Sequence, residues 1–121
     1  MKSIAVVEDN ADNRLLLRVL LEDKYRVIEY NDGPEALDGF AEELPELVLL
    51  DISLPTLDGL EVLARIRKDS RFRDLPVIAI TAHATPGDRA RFISAGFNGY
   101  VSKPIVDENI LFEAIRAHLG D

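Results

Sequence analysis

Leu47-Val48-Leu49-Leu50-Asp51 runs four apolar residues without a break and closes on a carboxylate. Nothing polar alternates with them, so a strand made of these residues is covered on both faces, the condition of a central strand in a parallel sheet. Three other runs are built alike. Ile4-Ala5-Val6-Val7 leads into Glu8-Asp9, Val77-Ile78-Ala79-Ile80 into Thr81, and Tyr100-Val101 into Ser102-Lys103-Pro104, while Arg26 to Glu29 supplies one more strand. Open α/β sheets place their ligand sites at the carboxyl ends of the strands. Three carboxylates, a hydroxyl and an ammonium are therefore expected along one sheet edge.

Between the runs lie segments of helical spacing. Ala11 to Glu22 carries Leu15, Leu16, Val19 and Leu20 as its apolar stripe. Asp32-Gly33-Pro34-Glu35 and Asp58-Gly59-Leu60-Glu61 each set a capping carboxylate three residues ahead of a glutamate, the pattern of a helix start. The first of these helices is expected to reach about Glu43, before Pro45, and the second to turn Val62, Leu63 and Ile66 toward the sheet. Thr85-Pro86 reads as the N-cap and first position of a fourth helix, which Gly96 ends as a left-handed cap. A short strand from Asn98 to Val101 follows. The last helix starts near Asp107, with Ile110, Leu111, Ala114 and Ile115 read as inward. Five βα units without linker or repeat make one α/β domain over residues 1–121. Right-handed crossovers put helices on both faces, a doubly wound arrangement.

Composition narrows the function classes. A length of 121 residues allows one real core and no second folded unit. No run is long enough to cross a bilayer, and no basic segment followed by an apolar one marks the chain for export, so a cytoplasmic location is expected. The start at Met1 is read as a natural beginning. The net charge of -8 opposes direct binding to nucleic acid, whose phosphates attract Lys and Arg. With no cysteine, disulfide and thiol chemistry are both excluded.

Glu8, Asp9 and Asp51 would repel one another in a partly desolvated pocket, and a cation relieves that repulsion. Hard oxygen ligands favour Mg2+, with Mn2+ as a substitute; His83 and His118 are too remote from the other candidate ligands to suggest zinc. A carboxylate accepts a phosphoryl group as an acyl phosphate, and Asp51, ending the most apolar run, is the candidate nucleophile. Lys103 and the metal neutralise the phosphoryl oxygens, and Thr81 adds a hydroxyl hydrogen bond. The Lys103-Pro104 bond is a candidate cis peptide. A phosphatase with an aspartyl nucleophile usually carries a second Asp where this chain has Ser53, and a flavin protein would need a Ser/Thr-rich loop in place of Glu8-Asp9.

Glu8-Asp9, Asp51, Leu54-Pro55 with Asp58-Gly59, Thr81-Ala82 and Lys103-Pro104, in this order over essentially the whole chain, resemble the receiver domain of bacterial two-component response regulators. The resemblance implies a flavodoxin-like fold, five parallel strands in the order 2-1-3-4-5 with five helices. It implies that Asp51 is the phosphoacceptor, that Glu8, Asp9, Asp51 and the Ser53 carbonyl serve Mg2+, and that Thr81 and Lys103 bind the phosphoryl oxygens. Tyr100 becomes the aromatic switch that follows Thr81. Glu8 replaces a second Asp, which moves one oxygen farther from the metal, while Ser53 and His83 occupy positions where members vary. The implied partners are a histidine kinase or histidine phosphotransfer protein upstream and a protein target on the face of the fourth helix, fifth strand and fifth helix, roughly residues 86–119. The protein is then a phosphorylation-controlled switch that assists its own phosphorylation and dephosphorylation, and not an enzyme in the ordinary sense. Its short final helix resembles the single-domain regulators of the cell-fate type. The competing reading is a receiver-like adaptor that binds partners without being phosphorylated. His118 reads as a helix-end residue, and Phe92, Phe97 and Phe112 as packing or partner-surface residues.

Overall fold

Successive side chains of a strand leave on opposite faces of its sheet, and the apolar runs fill both. The computed structural model, which describes residues 1–82 and 85–120, contains strands β1 (Ser3–Val7), β2 (Arg26–Tyr30), β3 (Leu47–Asp51), β4 (Val77–Thr81) and β5 (Gly99–Ser102). They form one parallel sheet in the order β2-β1-β3-β4-β5. Helices α1 (Ala11–Leu21), α2 (Gly33–Glu42), α3 (Gly59–Lys68), α4 (Pro86–Ala95) and α5 (Glu108–Leu119) connect and cover it.

In β3, Val48 and Leu50 enter the core layer shared with Phe40, Val62, Leu63, Ile66 and Phe92 of α2, α3 and α4. Leu47 and Leu49 enter the opposite layer, with Leu17, Leu21, Leu111 and Ile115 of α1 and α5. Each such side chain contributes about 1.5–3 kcal/mol by leaving water, so this strand is the backbone of both layers.

The helix starts follow local chemistry. Asp32 and Asp58 accept the backbone N–H of Glu35 at 2.8 Å and of Glu61 at 2.9 Å, and Asp107 accepts that of Asn109. Thr85 and Asp88 make a complete capping box ahead of α4, and Gly96 ends that helix at φ 116. Phe92, Phe97 and Phe112 are all buried, which assigns them to packing.

Two apolar stripes differ from the sequence reading. The buried residues of α1 are Leu17 and Leu21, while Leu15, Leu16 and Val19 are exposed. In α5 the buried residues are Leu111, Phe112 and Ile115, with Ile110 outside. Leu15 through Leu21 is apolar at every position but Arg18, so periodicity alone left the inward face of α1 open, and packing on the sheet decided it.

Candidate functional site

Register brings the polar strand ends together. Val7 is level with Leu50, Asp51 with Ile80, and Thr81 with Ser102, so Glu8, Asp51, Thr81 and Lys103 emerge along one edge of the sheet. Glu8 is 2% exposed and Asp51 5%, and Thr81 is buried with them. Asp9 is on the surface beside them.

The Lys103 ammonium donates to Glu8 Oε1 at 2.6 Å and to Asp51 Oδ2 at 3.0 Å. One cation thus spans two buried carboxylates that lie 43 residues apart in sequence. The Lys103 backbone N–H donates to the Thr81 carbonyl at 2.7 Å, which fixes where the side chain departs. The Lys103-Pro104 peptide is cis. Asp51 Oδ1 accepts the Ser53 backbone N–H at 3.1 Å, so each oxygen of the candidate phosphoacceptor is held. Glu8 Oε2 accepts from the Asn10 backbone N–H at 3.2 Å, and Asn10 in turn caps α1 through the N–H of Asn13.

Burial raises the Glu8 carboxyl above its usual range, partly offset by the Lys103 hydrogen bond and reinforced by Asp51. For Lys103, burial works to lower the ammonium's pKa, but the hydrogen bonds to Glu8 and Asp51 outweigh it and the net shift is upward. Lys103 is thus held charged, facing more negative charge than it neutralises.

One carboxylate oxygen from each of Glu8, Asp9 and Asp51 lies within 4.8 Å of the others. Three hard oxygens at that spacing, with an exposed flank at Asp9 open to water, fit Mg2+ or Mn2+. Asp9 is the nearest to a free ligand, because both oxygens of Glu8 and both of Asp51 already accept hydrogen bonds.

The loop after β3 is tightly built. The Gly59 N–H donates to the Ile52 carbonyl at 2.9 Å, and a Cβ on Gly59 would stand 2.5 Å from the Asp51 carbonyl oxygen. Only glycine lets α3 start this close to the acceptor. Thr56 has φ 67, and the Leu57 N–H donates to the Pro55 carbonyl at 2.7 Å, a γ-turn of the rare positive-φ kind.

The structure thus gathers Glu8, Asp9, Asp51, Thr81 and Lys103, with Ser53 bound to Asp51 through its amide. Tyr100 stands half-buried on β5, its ring 6.4 Å from that of Phe92. His83 lies outside the described residues, and His118 is exposed at the end of α5. Sequence reasoning did not find Arg14, whose guanidinium donates to the Glu8 carbonyl at 2.9 Å and faces Glu29; an arginine one turn into a helix gives no such signal. It also did not find the cleft of about 350 Å³ lined by Leu16, Leu17, Ile80, Ala82, Pro104 and Ile105, which reaches Glu8 and Lys103.

Residues 4–116 match the family described as the response regulator receiver domain. The chain is 44% identical over 121 residues to the polar-differentiation response regulator DivK of Brucella anthropi, covering 99% of this chain and 98% of that one. Among solved structures, a putative response regulator from Chloroflexus aurantiacus superposes with a TM-score of 0.92 at 26% identity, covering 99% of this chain and 98% of that one. The receiver domain of a sensor histidine kinase from Pseudomonas aeruginosa PAO1, which has a magnesium ion coordinated in its active-site cleft, gives 0.89 at 33% identity, covering 99% and 98%.

Proposed function

The chain belongs to the response regulator receiver domain family, and from that membership we propose that Asp51 is the residue it uses to take up a phosphoryl group. It is a phosphorylation-dependent signalling switch of a two-component pathway with Mg2+ as cofactor, fed by a kinase or phosphotransfer protein. The observation that carries the residue assignment is the Lys103 ammonium, bound at once to Glu8 and to Asp51 at the end of the central strand.

In this reading an Asp51 carboxylate oxygen attacks the phosphorus of the donor's phosphohistidine. The P–N bond breaks, its electron pair stays on the imidazole nitrogen, and an acyl phosphate forms on Asp51. Lys103 leaves Asp51 Oδ2 for an oxygen of the incoming phosphoryl group, and the Thr81 hydroxyl donates to another. Asp9 and Asp51, with the Ser53 carbonyl and Glu8, would hold the metal, which would supply positive charge beside the phosphoryl oxygens. These groups are the domain's own, so it assists both its phosphorylation and its dephosphorylation.

The upstream partner docks on α1 and the segment after β5. Leu16 is 44% exposed, Val19 56% and Val106 88%, and the cleft shared by Leu16 and Ile105 joins these patches next to Lys103. An apolar surface beside the reacting groups is where a partner would be expected to settle. The target is received on α4, β5 and α5, with Tyr100 coupling Thr81 to that face. No helix among the described residues is long and apolar enough to cross a membrane.

Incubation with acetyl phosphate and Mg2+, followed by intact mass and site mapping, tests the assignment. One added phosphoryl group on Asp51 is expected, absent in Asp51→Asn and absent with chelator. Modification that persists in Asp51→Asn overturns it.

A further inference from the structure

The guanidinium of Arg67, in the last turn of α3, binds four segments of the chain at the sheet edge opposite Asp51. Its Nε and Nη2 both donate to the Gly96 carbonyl, at 3.2 and 2.9 Å. Nη2 also donates to Asn98 Oδ1 at 2.8 Å, and Nη1 to the carbonyls of Arg73 at 3.0 Å and Leu75 at 2.7 Å. Asn98 Oδ1 accepts the Val77 N–H as well, and the Asn98 N–H donates to the Val77 carbonyl. Every acceptor is uncharged, so the arginine works as a fork of donors and not as half of an ion pair. The end of α3, the end of α4 and the starts of β4 and β5 meet on this one side chain.

Helix α4 is otherwise lightly buried. Its one buried residue is Phe92, against three for α5 and four for α3. Its first turn is closed by the Thr85–Asp88 box, a contact internal to the helix. The helix is therefore fastened at Gly96, steadied by Phe92 against Phe97 and Tyr100, and begins five residues after Thr81.

Resting on the switch reading above, we propose that Arg67 is a positioning residue of the switch: it pins the C-terminal end of α4, so that a displacement begun at Thr81 swings the N-terminal half of the helix about Gly96. The swing is graded along the helix. Residues near Arg89 move most, Gly96 to Asn98 stay in place, and Tyr100 follows through Phe92.

The test is amide NMR and hydrogen exchange on the full chain, with and without beryllofluoride and Mg2+ as the phosphoryl stand-in. In the wild type, ligand-induced shifts at Arg89 and Ala90 are expected to exceed those at Gly96 and Phe97 several-fold. In Arg67→Lys, which keeps the charge and loses the fork, exchange at Gly96 to Asn98 speeds up about tenfold or more. The shifts then spread to those residues, while acetyl phosphate uptake stays within about twofold of wild type because the site lies at the other edge. Shifts of equal size at both ends of α4 in the wild type overturn the proposal, as does unchanged exchange at Gly96 to Asn98 in Arg67→Lys. Should that variant fail to fold, the wild-type gradient decides alone. Wild-type protein that takes up no phosphoryl group overturns the switch reading and this role with it, whereas normal uptake with a flat profile overturns this role alone.

Discussion

Thr56 carries a conformation that β-branched residues rarely adopt, at φ 67 in the turn between Pro55 and Leu57. Relief of that strain outweighs the added freedom of the unfolded chain, so Thr56→Gly is expected to stabilise the fold by about 1 kcal/mol. A denaturant titration should show a higher midpoint at unchanged slope. Glu8 gives a second prediction. Its pKa is raised in the fold, chiefly by burial, so the folded state binds its proton more tightly than the unfolded chain does. The sign follows: this group's contribution to stability falls as pH rises from the ordinary glutamate range through the raised one. Without metal, Glu8→Gln should match wild type at acid pH and melt progressively higher than it as pH climbs past that window. Paired thermal melts in chelator at several pH values measure the difference. A constant gap would refute the electrostatic account of Glu8.

At the level of single helices and strands, α1 separates stability from partner recognition. Leu15, Leu16 and Val19 are exposed, so Leu15→Ser with Val19→Ser should leave stability within about 0.5 kcal/mol per site and leave acetyl phosphate uptake intact. Transfer from a protein donor should fall at least tenfold, as expected for loss of apolar anchors at an interface. Equal loss with both phosphodonors would place these residues in the fold and not in docking. Much of this was legible beforehand. The β3 run, the caps at Asp32, Asp58, Thr85 and Asp107, and the Gly96 terminus depend on neighbours a few residues away, and they are where local pattern put them. The inward face of α1 was not legible and that of α5 only in part, because Leu15, Leu16, Val19 and Ile110 are apolar and yet face outward, whereas Leu111 and Ile115 are buried as read. A residue's apolarity states its preference for burial, and only packing against the sheet reveals which preferences go unmet. Arg67 was invisible for a related reason: its acceptors are three backbone carbonyls and the Asn98 side-chain oxygen, up to 31 residues away, which no sequence pattern encodes.

Across the whole molecule, charge and fold are set against each other at one edge. Glu8 and Asp51 share a single ammonium, and a carboxylate oxygen of Asp9 lies within 4.8 Å of theirs, so the metal-free fold keeps unrelieved repulsion that Mg2+ removes by binding the folded chain alone. Free Mg2+ at a hundred times its Kd should therefore stabilise the protein by about 2.7 kcal/mol. The melting temperature should rise by several degrees with Mg2+ and return with chelator, and Asp51→Asn should lose most of the response. A melting temperature indifferent to Mg2+ would refute the carboxylate cluster as the metal's site. The Lys103–Glu8 contact has a consequence in time as well as in space, since it joins residues 95 positions apart. On the ribosome, the acidic half of the cluster emerges long before its counterion. A nascent chain that ends short of β5 holds the acceptor aspartate without the lysine that equips it, so signalling competence cannot precede the synthesis of β5 and Lys103.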